Sequence, residues 1–215
     1  MHAHERLGWR EQLQALDAAI YAAVAATPTP TFDRALGSLS QAANHSKLWI
    51  GAAAVLAMAG GPRGRHAAAS GVASLGVTSA IVNIGLKPLG RRRRPDRIGA
   101  AVPVTRHVSM PGSTSFPSGH SASAFAFASG VGASLPVAAV PLRAVAMLVA
   151  YSRVHTGVHY PADVITGSVL GGAIAPIVVA ALTRQLEAGI YAVADERRQG
   201  SRCARLGAVL RRRSG

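Results

Sequence analysis

The sequence predicts an all-α integral-membrane helical bundle with five core transmembrane helices, six if residues 11–26 also cross. Three observations predict it. Apolar residues make up 49% of the 215-residue chain and gather in blocks, not in the stripes of amphipathic helices. Aromatics are only 5%, so Ala, Val, Leu and Gly carry the apolar content, and small residues suit close helix contact inside a bilayer. The mean hydropathy is positive, at +0.26, despite a net charge of +14.

The elements follow in chain order. Met1 to Arg10 is a polar lead, with no apolar run and cleavage site of the signal-peptide kind. Residues 11–26 read as a helix in which Glu11, Gln14 and Asp17 alternate with Leu13, Leu16, Ile20 and Val24, a mixture that favours an interfacial helix over a span. Thr27-Pro28-Thr29-Pro30 breaks it. Ser46 to Gly60 is the first apolar block, reaching the ~20 residues of a span if it begins near Ala42. Gly61 to Arg65 reads as a turn, and residues 66–86 as the second span, ending at Lys87-Pro88. Residues 87–118 are polar, basic and rich in Gly, Pro and Ser, and a connection that long is usually functional or disordered. The third span is 119–135 and the fourth 137–151, with Pro136 and Pro141 at the turn between them; the fifth is 162–183. The domain organisation is therefore an N-terminal segment 1–45, a core 46–183 and an Arg-rich tail 184–215.

A basic balance of this size suggests nucleic acid in a soluble protein. Among apolar spans it points instead to anionic lipid or an anionic substrate, so no nucleic-acid partner is expected. One cysteine, Cys203, excludes a disulfide framework within the chain and a cysteine-based zinc cluster. Trp49 reads as an interfacial anchor, and Gly71, Gly167, Gly171 and Gly172 as helix-contact positions.

The connectivity makes a geometric prediction. The end of span two, the start of span three and the link between spans four and five must lie on one membrane face. Those three segments hold the chemically rich residues: Lys87 to Arg94-Pro95, Pro117-Ser118-Gly119-His120, and Ser152-Arg153 through His159 to Asp163. Together they resemble the three-part signature of the type 2 phosphatidic acid phosphatase family, which shares its fold with vanadium haloperoxidases. The pattern is Lys, six residues, Arg-Pro; Pro-Ser-Gly-His; and Ser-Arg, five residues, His, three residues, Asp. This chain matches it without a departure over about residues 46–183.

The residue types fit phosphoryl transfer on their own terms. Lys87, Arg94 and Arg153 supply cations for the charge on phosphoryl oxygens, and guanidinium forks match those oxygens. Ser118 offers a hydroxyl. Gly119 offers an unobstructed backbone N–H at a helix N-terminus, where an anion is favoured. His159 is the expected nucleophile, forming a phosphohistidine, with Asp163 one helical turn on to accept a hydrogen bond from its other ring nitrogen. His120 is expected to protonate the leaving alkoxide and then to deprotonate water. The resemblance implies the same roles and no metal or other cofactor, and the chain offers no acidic cluster suited to magnesium. His155 reads as a supporting residue. Arg91, Arg92 and Arg93 read as lipid-surface or substrate-steering charges, and Ser113, Thr114 and Ser115 as a flexible loop.

The partners this implies are a membrane and a phospholipid or polyprenyl phosphate substrate: phosphatidic acid, phosphatidylglycerol phosphate, or a polyprenyl phosphate or pyrophosphate. Two rival readings are a vanadate-dependent haloperoxidase and a non-enzymatic basic protein that binds anionic lipid. Lys and Arg divide almost evenly between the two faces, so the positive-inside rule does not orient the chain. Discounting cations assigned to phosphate favours an external active site and a cytoplasmic tail in the cell membrane.

Overall fold

Runs of Ala, Val, Leu and Gly that must satisfy every backbone hydrogen bond within the segment have one economical solution in a bilayer, the α-helix. The computed structural model is accordingly helical. It describes residues 8–213, with side chains for residues 8–189. The chain divides into two compact units, Met1–Val178 and Val179–Gly215. The first carries the helices α1 (Trp9–Ala26), α2 (Pro30–Ala42), α3 (Lys47–Ala59), α4 (Gly61–Ala80), α5 (Lys87–Gly90), α6 (Gly119–Ser134) and α7 (Pro136–His155), and the start of α8 (Pro161–Arg213). The second unit is the helical remainder of α8. The tail arginines beyond residue 189 and Cys203 lie outside the described side chains, and Met1 to Leu7 outside the described residues.

Among the described residues, three helical stretches are long and apolar enough to cross a membrane: Gly61–Gly90, Pro136–His155 and Pro161–Gly189. The other two apolar blocks, α3 and α6, have 13 and 16 residues. At 1.5 Å per residue they reach only ~20–24 Å, against a hydrocarbon core of ~30 Å.

The core is built on small residues. Trp49 of α3, Phe127 and Val131 of α6 and Val149 of α7 are buried among alanines of α4, α6 and α7. Trp49 is 1% exposed and lies 5.5 Å from the Phe127 ring, so it is a core residue and not the interfacial anchor its sequence context suggests. Glycines set the helix separations. A Cβ on Gly171 of α8 would fall 2.2 Å from the Ala122 carbonyl oxygen of α6, and one on Gly167 2.4 Å from that of Ser118. A Cβ on Gly71 of α4 would meet Val131 and Phe127, whereas one on Gly172 would meet nothing.

Local boundaries depart from the sequence expectation where a proline falls at a predicted break. Pro62 sits in the first turn of α4, where its missing N–H costs nothing, so the expected turn at 61–65 shrinks to Gly60 and Gly61, the latter at φ +58°. The helical path also runs through Lys87-Pro88 to Gly90 by way of a π-helical turn, Ile81–Leu86. Pro141 lies inside α7; the break before that helix is at Leu135. α7 then continues one turn beyond residue 151, which brings Arg153 and His155 onto it.

The N-terminal segment holds a second helix, α2, that the sequence did not suggest. α1 turns Asp17, Tyr21 and Ala25 inward and leaves Leu13, Leu16 and Ile20 exposed, the reverse of an amphipathic helix in water. A buried carboxylate needs partners, and those of Asp17 and Asp33 tie this segment to the core. Asp33 accepts from Thr29, Thr105, Arg106 and His155. Arg106, 1% exposed, also donates to the carbonyls of Val24, Ala25 and Thr27 at the end of α1.

Candidate active site

The three signature segments converge. Arg94, in the linker after α5, donates from Nη1 to the Val158 carbonyl at 2.7 Å and lies 3.2 Å from His159 Nε2. Ser118 donates its backbone N–H to the Asp163 carbonyl at 2.9 Å. Lys87, the first residue of α5, donates to Ser113 Oγ at 3.0 Å and lines a cavity of about 210 Å³ with Gly119, His120, Asn83, Ser113 and Ser123. At ~30 Å³ per water in the liquid, that is room for about seven waters, or for a phosphoryl group with part of its leaving group.

Each sequence-predicted residue has a defined place. His159 is 1% exposed, in the short link between α7 and α8. Its Nδ1 lies 3.4 Å from Asp163 Oδ2, and Pro161 opens α8 so that Asp163 falls in the helix's first turn. Burial, against the pull of the Asp163 hydrogen bond and with help from Arg94, pushes the His159 pKa down from 6.5 to about 4. The ring is therefore neutral at ordinary pH, with its proton on Nδ1 toward Asp163 and a lone pair on Nε2. Burial also pulls the Arg94 guanidinium below its ordinary range, opposed by the Asp163 carboxylate.

Gly119 opens α6. A Cβ there would stand 2.9 Å from Asn83 Oδ1 and 3.6 Å from Lys87 Nζ, so glycine keeps that side of the cradle open. Ser118 caps α6, its hydroxyl oxygen accepting from the Ser121 N–H. Arg153, 1% exposed, donates from Nη1 to the Ser40 hydroxyl at 2.6 Å, while its Nε is buried without a hydrogen-bond partner. Such an orphaned buried donor is costly unless a ligand oxygen meets it.

Four residues with sharp contacts were not readable as site residues. Ser115, read as a flexible loop, is fully buried; its hydroxyl donates to Asp163 Oδ2 at 2.5 Å and lies 3.3 Å from His159 Nδ1. Asn44, between α2 and α3, places its Oδ1 2.8 Å from His120 Nε2, which puts a proton on that nitrogen and turns Nδ1 to proton exchange. Ser40 holds Arg153. Arg92, read as a surface charge, joins Asp163 Oδ1 at 3.0 Å and Asp17 Oδ2 at 2.5 Å. Arg91 and Arg93 are exposed. Among the described residues no group of three or more His, Cys, Asp or Glu could hold a metal ion; the groups that converge here are cations suited to an anion.

The fold and this cradle define a class. The PAP2 superfamily matches residues 67–187, and the chain belongs to that family. It is 41% identical over 97 residues to the decaprenylphosphoryl-5-phosphoribose phosphatase of Mycobacterium tuberculosis, covering 43% of this chain and 49% of that protein. The chain thus spans about half the length of that relative. The protein of the same name from Mycolicibacterium smegmatis is 36% identical over 134 residues, 60% of this chain and 68% of the relative. Two solved structures share the fold. The transmembrane PAP2-type phosphatidylglycerolphosphate phosphatase of Bacillus subtilis superposes with a TM-score of 0.62 at 22% identity, over 80% of this chain and 87% of that one. LpxE of Aquifex aeolicus gives 0.63 at 21% identity, over 83% and 99%.

Proposed function

We propose that the protein is a membrane phosphatase that hydrolyses a terminal phosphomonoester or pyrophosphate on a lipid-linked substrate through a phosphohistidine on His159. The observation that carries this reading is the buried, neutral His159. Its Nδ1 is backed by Asp163, and among the described residues its Nε2 is met by Arg94, whose Nη2 reaches Ser113 on the rim of the cavity that Lys87 and Gly119 line. In the reaction the Nε2 lone pair attacks phosphorus, and the bond from phosphorus to the lipid alkoxide breaks. His120, entering the step as the imidazolium, gives the alkoxide its Nδ1 proton and is left neutral, with its Nε2–H on Asn44. The neutral His120 then takes a proton from water, the resulting hydroxide attacks phosphorus, the P–N bond breaks, and inorganic phosphate leaves. Lys87, Arg94, the Arg153 Nε and the Ser118-Gly119 turn hold the phosphoryl oxygens as charge redistributes.

The relatives' names favour a phosphorylated sugar on a polyprenyl phosphate as substrate, over phosphatidic acid, phosphatidylglycerol phosphate or a bare polyprenyl pyrophosphate. The site lies at one membrane interface, on the external face of the cell membrane, with the C-terminal tail cytoplasmic. The test is phosphate release by purified protein in detergent with EDTA, over a panel of those four substrates, beside His159→Ala. Turnover that resists EDTA and vanishes in the variant supports the reading. An active His159→Ala, or no turnover of any member, rejects it.

A further inference from the structure

Asp163 is fully buried, and its two oxygens are served differently. Oδ2 receives the Ser115 hydroxyl, the Tyr160 backbone N–H and His159 Nδ1. Oδ1 receives Arg92 Nη1. Arg92 cannot wander from that position. Its Nη2 is bound to Asp17 Oδ2, and its guanidinium lies over the Tyr160 ring at 4.1 Å from the centroid. Asp17 is itself 6% exposed, and its other oxygen accepts the backbone N–H of Ala162 at 2.8 Å. A carboxylate on α1 therefore grips both the arginine that holds Asp163 and the residue before Asp163 in the chain. It also serves one of the free N–H groups in the first turn of α8, where a local capping side chain would otherwise act.

Resting on the phosphatase reading above, we propose that Asp17 and Arg92 are positioning residues for the nucleophile: α1 reaches across the chain to fix the Asp163 carboxylate and, through it, the His159 ring. This differs from steering of substrate by a surface cation. Both terminal nitrogens of Arg92 are committed to carboxylates, so its part is in orienting His159 and not in attracting the phosphate. Arginine is the residue this geometry requires, because one planar fork must span two carboxylates at fixed angles.

The experiment compares kcat and KM for Arg92→Gln, Arg92→Lys and Asp17→Asn with the parent and His159→Ala, at low and high salt. The substrate is the panel member that the parent turns over fastest. Misplacing a reacting group by an ångström costs about 100-fold, so Arg92→Gln is expected to lose about that factor in kcat with KM unchanged. Lysine keeps the charge without the fork and should restore about a tenth of the lost rate. Asp17→Asn should show the same kcat-only defect though it sits on α1, and none of these ratios should change with salt. A rise in KM that salt abolishes would overturn the proposal in favour of steering. So would a kcat that stays near the parent's in both Arg92→Gln and Asp17→Asn, or loss of folding by gel filtration in all three variants, which would leave a purely structural role. An inactive parent, or an active His159→Ala, would instead reject the phosphatase reading itself.

Discussion

Replacing Asp163 by asparagine tests the site more sharply than removing it, because the amide has nowhere to put its nitrogen. On the Oδ2 side it would face three donors: the Ser115 hydroxyl at 2.5 Å, the Tyr160 N–H at 2.9 Å and His159 Nδ1 at 3.4 Å. On the Oδ1 side it would face Arg92 Nη1 at 3.0 Å. Either orientation sets an N–H against an N–H in a site closed to water. Turned toward His159, the amide also favours the tautomer with its proton on Nε2, which removes the attacking lone pair. The analogous change at a histidine-orienting aspartate in serine proteases costs about 10⁴-fold in kcat, equivalent to ~5 kcal/mol of barrier. A buried unsatisfied group costs a further ~1–3 kcal/mol of stability. Phosphate release on the best panel substrate, with thermal unfolding in the same detergent, reads both numbers. An Asp163→Asn protein that keeps more than about a tenth of the parent kcat would refute the tautomer argument, since that factor is only ~1.4 kcal/mol.

Three further outcomes follow from the geometry. With a folded pKa of about 4 against an ordinary 6.5, His159 is neutral in both folded and unfolded chains above pH 6.5 and takes its proton first in the unfolded chain below it. Folding stability should fall as pH drops from 6.5 to about 4 by roughly 3 kcal/mol relative to His159→Gln, read as the pH dependence of the difference in thermal unfolding; a difference that does not change with pH would contradict it. Gly171→Val puts atoms where the Ala122 carbonyl oxygen lies 2.2 Å from the ideal Cβ, so α6 and α8 must separate. A drop in stability of at least ~1–3 kcal/mol is expected, whereas Gly172→Val, with open space around it, should be near neutral. Asn44→Leu removes the acceptor from His120 Nε2 and should slow alkyl phosphates about 10- to 100-fold. It should leave p-nitrophenyl phosphate, whose leaving group needs no proton, almost unaffected; equal defects on both would rule out a role in protonation.

What the sequence made legible divides by chemistry and distance. Lys87, Arg94, His120, Arg153, His159 and Asp163 announce themselves because ionisable residues are costly at a membrane boundary, and Ser118 and Gly119 because they stand in one short motif with His120. The helical blocks were legible for the same reason: composition alone marks them. Asp17, Ser40, Asn44 and Ser115 are ordinary polar residues whose partners lie far away in the chain. Arg92 was hidden inside a run of four arginines, where only three-dimensional structure separates the one that pairs with carboxylates from its exposed neighbours. Pro88 and Pro141 misled because proline was read as a stop. A helix tolerates it where a π-turn or a neighbouring helix absorbs the missing bond.

The bond from Ala162 to Asp17 closes a loop of 145 residues. During synthesis the carboxylate on α1 emerges almost first, while its partners on α8 emerge only after every other described helix has been made. A nascent chain stalled before residue 161 carries Lys87, Arg94, His120, Arg153 and even His159, but has no Asp163 to orient that imidazole and nothing for Asp17 to cap. On the proposed mechanism, competence arrives in one late step, when α8 brings Asp163 to His159. By the same mechanism, an unfinished chain in the membrane should be inert toward phosphorylated lipids.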